Sequence, residues 1–148
     1  MNNLEFRGLS RTGEWVFGDL IQFFNPAVSF IVKRKNGPST LSYFQIVPVM
    51  MCEIDPKTAG RFTGVRESHD SKKKIYEHDI VHVLNDEFDF TGVVIFSEGT
   101  WLVVNSELEN AEQLWDEISI IKHVGNIFDD KELADRYFKG WDYYADEV

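Results

Sequence analysis

The sequence predicts a mainly β fold, a small antiparallel β-barrel-like domain with a short C-terminal α-helix. Three observations predict it. Short runs of branched and aromatic residues recur along the chain, Gly, Pro, Asn and Asp punctuate them at short intervals, and one helical pattern stands near the C-terminal end.

The elements follow in order. "EWVFGDLIQFF" and "VSFIVKRK" read as a pair of strands around the Asn25-Pro26 turn. "KNGPS" is strong punctuation, because Asn-Gly favours positive φ and Pro38 cannot continue a ladder. The apolar run "LSYFQIVPVM" is a further strand, pushed to an edge or bulge by Pro48. "EIDPKTAG" (53–60) resembles a short linker and gives a weak internal boundary, and "RFTGV" is a short strand ending at Gly64. "RESHDSKKK" reads as a charged loop with Asp70 and Ser71 as turn residues. Strands are expected in "KIYEHDIVHV", "GVVIF", "WLVV" and "EISIIKHVGNIF", with short meander connections. "NSELENAEQLWDE" could hold a helical turn anchored by Leu108 and Trp115. The helix is predicted over about 130–139. Asp129 caps it, Glu132 completes a box-like pattern, and Leu133, Tyr137 and Phe138 form a stripe that ends at Gly140. Arg136 and Lys139 complement the dipole of its last turn.

A chain of 148 residues with 43% hydrophobic content has material for a single domain, 1–148, since a chain of this size buries roughly two thirds of its unfolded surface. The lone Cys52 cannot form an internal disulfide and no apolar leader run opens the sequence, so the cytoplasm is the expected compartment. No window approaches the roughly 20 apolar residues of a membrane-spanning helix. The net charge of −10 argues against phosphate-backbone binding. Its distribution is uneven: up to Leu84 there are 11 Lys and Arg against 9 Asp and Glu, and from Asn85 onward 4 against 16. That asymmetry reads either as an interaction face or as a solvated surface.

His78 and His82, flanked by Glu77 and Asp79, suggest a metal clamp. Four residues apart means about 6 Å on a helix but roughly 13 Å along a strand. Ile80, Val81 and Val83 favour strand, which keeps the two imidazoles from one zinc at about 2.1 Å. His69 lies in the charged loop, and His123 alternates with Lys122, neither beside a carboxylate at ligand spacing. Cys52 has no nucleophile context and reads as a small buried thiol. Trp101 as a base-stacking platform is weakened by its acidic neighbours Glu98 and Glu107, and the runs Lys33 to Lys35 and Lys72 to Lys74 read as solvated loop ends. No phosphate loop, nucleophile elbow or paired-cysteine motif occurs. The expectation is therefore no catalytic, cofactor or metal residue.

The ordered pieces "EFRG", "GEWVFGDLI", "RFTGV", "KKIYEHDIV" and "HVGNIFDDKEL", from about Glu5 to Leu133, resemble the YopX family of phage and prophage proteins. The resemblance implies a largely β, barrel-like fold encoded in mobile phage genomes, and it carries over no catalytic residue. It marks Phe62, Thr63 and Gly64, then Tyr76, Glu77, Asp79, Ile80 and Val81, then Gly125, Asn126 and Ile127 as framework. Asp79 is expected to accept backbone hydrogen bonds from the turn before its strand. His78 departs from the family's usual glycine. If that position needs positive φ, histidine costs roughly a kcal/mol or more there.

The leading expectation is a cytoplasmic protein that binds another protein or itself. A second is an acidic surface, with Asp129, Asp130, Glu132 and Asp135, that imitates nucleic acid. A third is an enzyme using Asp79, Asp86 and Asp89; single-strand binding ranks below these because of charge.

Overall fold

A computed structural model describes residues 4–24, 28–33, 51–87, 89–116 and 119–139. The strand expected at 41–50, the Asn25-Pro26 turn, Gly140 and the C-terminal aromatics lie outside the described residues. The chain divides into two compact units, Met1–Phe62 and Thr63–Val148.

In the first unit, β1 (Phe6–Leu9), β2 (Trp15–Phe23), β3 (Val28–Lys33) and β4 (Met51–Ile54) pair in antiparallel order. Alternation on a pleated strand sends every second side chain to one face. Val16 and Leu20 of β2 therefore meet Ile31, Ile54 and Cys52 in a small core. Gly8 sits against Ile54, whose side chain a Cβ would approach to 2.2 Å. The expected linker at 53–60 is ordered. Asp55 caps a 3-10 turn at Pro56–Thr58 by accepting the Lys57 N–H, 3.1 Å, and Thr58 Oγ1 accepts the Leu9 N–H, 2.8 Å. These ties to β1 are invisible to local composition, which is why the segment resembles a linker.

β5 (Gly60–Glu67) opens in the first unit, where Gly60 and Arg61 pair with β1, and continues into the second. There it forms a hairpin with β6 (Asp70–Tyr76). The charged stretch expected as a loop is thus mostly strand, turning at Ser68 and His69. Its residues are largely exposed, so no alternation of apolar residues announced it. The rest of the second unit is a five-stranded antiparallel sheet, ordered β10-β9-β8-β7-β11, of β7 (Asp79–Leu84), β8 (Asp89–Ser97), β9 (Thr100–Asn105), β10 (Asn110–Gln113) and β11 (Ile120–Asn126).

Both faces of that sheet are covered. Val81, Val83, Val94, Val103 and Ile121 pack on one side with Ile75, Leu114 and Val65. Ile80, Val93, Ile95 and Val104 pack on the other with Leu133, Tyr137 and Phe138, the stripe of α1 (Lys131–Tyr137). Two covered faces explain why β7 and β8 read as continuous apolar runs. The C-terminal end of α1 is fastened at Ser106, whose N–H donates to Tyr137 O, 2.8 Å, and whose Oγ accepts the Lys139 N–H, 3.0 Å. Arg136 Nε donates to Glu107 Oε2 at 2.7 Å, which raises the guanidinium pKa.

The predicted mainly β class with a short C-terminal helix is the observed one. Its strands form two open sheets, the first ordered β4-β3-β2-β1-β5-β6, without closing into a barrel. The edge strand β6 carries Lys72 to Lys74, a charge run that opposes further pairing. The segment 106–113 forms a turn and β10 where a helical turn was expected, and its anchor is Leu114. Leu108 and Trp115 are exposed.

Candidate functional site

The histidines come first. His78 is not on β7; it occupies the turn before it with φ 72°, the left-handed conformation a family glycine would favour. Its N–H donates to Val94 O, 2.8 Å, and its O accepts the Ile127 N–H, 3.1 Å, so the turn is held by β8 and by the residue that follows β11. The ring is buried, edge-on to Phe128 at 5.6 Å and to Phe138 at 6.4 Å. His82, on β7, instead contacts Asp89 at the opposite end of the strand. Among the described residues no group of three His, Cys, Asp or Glu side chains could hold a metal ion. Asp89 pairs with Leu84, which puts it about 17 Å along β7 from Asp79. The three aspartates of the enzyme expectation are not gathered into one site.

Asp79 is fully buried, and its Oδ2 accepts the Tyr76 N–H at 2.8 Å, the turn hydrogen bond the sequence predicted. Its Oδ1 lies 3.3 Å from His123 Nε2, a neighbour that the sequence spacing of His123 does not show. The reason is register. His123 is opposite Val81, and a bulge before Gly125 puts Asn126 opposite Asp79. His123 and Asp79 are thereby diagonal neighbours on one face, a relation no local spacing contains. The His123 N–H donates to Glu67 Oε2, 3.2 Å, which joins the β5–β6 hairpin to the same point. A buried carboxylate is tolerated when its oxygens are satisfied. Here the Tyr76 amide serves Oδ2, and His123 lies beside Oδ1, so the pair sets the β6–β7 turn against β11.

A second tie follows in "GNIFDD". Asn126 Oδ1 accepts the N–H groups of Phe128, 2.9 Å, and Asp129, 3.0 Å, while Asn126 Nδ2 donates to Asp129 Oδ2, 2.9 Å. The expected cap Asp129 is therefore turned to Asn126. Asp130 is the cap residue by position, and its carboxylate accepts the Asn126 N–H, 3.1 Å. Gly125 permits this, because a Cβ there would come within 2.1 Å of Asp130 Oδ2. Thr63 does similar work, its Oγ1 donating to Ile75 O, 2.8 Å, and accepting the Val65 N–H, 3.0 Å, beside Gly64 at φ 85°.

The remaining candidates do not gather. Trp101 packs half-buried on the core, edge-on to Phe96 at 5.0 Å, and Cys52 is half-buried in the first unit. Lys72 to Lys74 lie on β6, and Lys33 ends β3.

The second unit has an open groove of about 520 Å³ between β5 and β11, lined by Val65, Arg66, Ser68, Trp115, Ser119 and Ile121 among others. Trp115 is 59% exposed, whereas its neighbour Leu114 is 1% exposed and anchors the segment. Ser68 closes the outer edge of β11, donating its N–H to Ile121 O, 3.0 Å, and accepting the Ile121 N–H on Oγ, 2.7 Å. Ser119 is held by Asp116, to which its N–H and Oγ both donate at 2.6 Å. Asn85 Nδ2 donates to Ser119 Oγ, 3.1 Å, and a second hollow of about 380 Å³ lies at Leu84, Asn85, Asp86 and Ile120. Leu84 and Ile120 face each other across the ladder, both exposed. The groove joins an exposed indole and a guanidinium to a small apolar floor, a composition suited to recognition. Trp115, expected with Leu108 to anchor a helical turn, faces outward, and its neighbour Leu114 is the buried anchor.

No helix among the described residues is long and apolar enough to cross a membrane. A comparison with curated proteins gives no match. The crystal structure of the protein yopX from Bacillus subtilis is similar in fold, with a TM-score of 0.52 and 19% identity over 90% of this chain and 98% of that one. The family model described as YopX protein matches residues 6–135. The match contains every framework residue named above, from Phe62 to Ile127, and on that extent the chain belongs to the YopX family.

Proposed function

We propose that this chain is a phage- or prophage-encoded, non-catalytic member of its family that acts in the host cytoplasm by binding another protein. The single observation that carries this reading is Trp115, an exposed indole over an open groove whose lining also includes Arg66. Trp and Arg dominate the energetics of protein interfaces because they combine large contact area with directed hydrogen bonding. The burial of Asp79 supports the non-catalytic part, since its Oδ2 holds the Tyr76 amide of the turn before β7.

The test is affinity capture of the full chain from cells that carry its gene, with wild type and Trp115→Ala side by side. A partner held by wild type and lost by the variant supports the reading. Equal capture by both, or a turnover abolished by Asp79→Asn in a folded protein, overturns it.

A further inference from the structure

We infer that the chain pairs with a second copy of itself through the outward face of the β2–β3 hairpin, with Phe23 and Phe24 as its anchors. The inference concerns the first unit and stands apart from the Trp115 groove of the second.

Alternation builds the face. Val16 and Leu20 of β2 and Ile31 of β3 point into the small core of the first unit, so Phe17, Ile21 and Phe23 of β2 and Phe30 and Val32 of β3 point the other way. Register sets Ile21 opposite Phe30, and Met51 of β4 beside Val32. The rings of Phe23 and Phe30 meet edge-on at 6.1 Å. Among the described residues these outward side chains join none of the buried clusters, and Phe17 and Phe23 are 45% and 47% exposed. Phe24 extends the face and is 86% exposed, with φ 56°, a left-handed conformation that a phenylalanine adopts only at a cost. A strained backbone that presents an aromatic ring to solvent marks a side chain whose packing partner lies outside the single chain.

Charge decides the occupant. From Leu20 to Val32 no residue is charged, although 27% of the whole chain is, so this stretch can meet an acidic molecule without repulsion. The first unit carries 7 Lys and Arg against 5 Asp and Glu, the second 8 against 20. Two copies of net charge −10 therefore repel through their second units and approach most easily through their first. The acidic residues on the outward face stand off from the anchors. Asp19 is about 13 Å along β2 from Phe23, and Glu53, opposite Phe30 on β4, is paired with Arg11 at 2.8 Å. Two-fold pairing requires a surface that complements itself, which a face of one charge sign cannot do and an apolar face does. Interfaces between identical chains are also the more apolar class, whereas those with a different protein are about as polar as the remaining surface. The same acidity disfavours a bilayer, whose cytoplasmic leaflet is anionic.

The test is sedimentation equilibrium of the full chain, joined to hydroxyl-radical footprinting of its side chains. The expected mass in concentrated solution is twice the 17.2 kDa of one chain, and added salt holds or strengthens the dimer because it screens the repulsion between two acidic copies. Phe23, Phe24 and Met51 are protected from oxidation in concentrated solution and not on dilution. Phe24→Asp, at a site too exposed to carry the fold, weakens the dimer at least about tenfold, and Trp115→Ala leaves it intact. A wild-type chain that stays monomeric overturns the inference. So does a dimer that Phe24→Asp leaves unchanged or that Trp115→Ala dissolves, and so does protection confined to the second unit. Protection of Phe24 only on neutral phosphatidylcholine vesicles, or only in the presence of a different protein, overturns it too and assigns the hairpin to that occupant. Should Phe24→Asp lose its circular-dichroism signature of folding, the wild-type footprint decides alone.

Discussion

Asp79 Oδ1 and His123 Nε2 lie 3.3 Å apart inside the second unit, the carboxylate fully buried and the imidazole 16% exposed. One strand pairing and one bulge bring them together, and the same carboxylate holds the Tyr76 amide. Removing it leaves the buried Tyr76 amide without its acceptor and opens a gap beside the His123 ring. Asp79→Ala is expected to destabilise the protein by about 3 kcal/mol and Asp79→Asn, which keeps an acceptor for Tyr76, by about 1 to 2 kcal/mol. Urea denaturation at neutral pH measures both. A loss under about 0.5 kcal/mol for Asp79→Ala would show the pair to be dispensable.

At His78 two effects oppose each other. Glycine relieves the φ of 72°, worth roughly 1 kcal/mol, but deletes a buried ring that meets Phe128 and Phe138 edge-on. Each aromatic contact contributes about 0.5 to 1.5 kcal/mol beyond the buried area, so the ring wins. The predicted order of thermal stability is wild type, then His78→Gly, then His78→Ala. The alanine variant falls about 1 kcal/mol below glycine because it keeps the strain without the ring. Calorimetry showing His78→Gly above wild type would mean that strain dominates.

Gly125→Ala tests the close approach to Asp130. The added Cβ must displace a carboxylate that caps Asn126, at an expected cost of about 1 to 3 kcal/mol. Asp130→Ala removes the obstacle, so the double variant should lose clearly less than the sum of the singles in a double-mutant cycle. Strict additivity would place the strain elsewhere.

Leu114 and Trp115 are adjacent and should behave oppositely. Leu114→Ala opens a cavity in the core and is expected to cost about 2 to 5 kcal/mol, whereas Trp115→Ala at an exposed site should stay within about 0.5 kcal/mol. Parallel denaturation curves decide this. A large stability loss at Trp115 would assign it to packing.

Much of the fold was legible because local chemistry and tertiary environment agreed. β7, β8 and β9 are branched-chain runs buried on both faces, and α1 carries its stripe of Leu133, Tyr137 and Phe138. The turn before β7 was legible too, since Asp79 accepts from Tyr76 and His78 holds the positive φ. The β5–β6 hairpin was missed because its side chains are mostly solvated, leaving the backbone ladder as the main reason for extension. β1, only four residues long, was missed because so short a run carries little periodicity.

The sequence by itself determined the mainly β class, the helix and the turn before β7, because these depend on side chains a few residues apart. Only the tertiary structure decided that the sheets stay open, that His123 reaches Asp79 and that Trp115 faces outward. Each of these depends on which strand lies beside which and in what register, and pairing energy is set by the partner strand as much as by the strand itself.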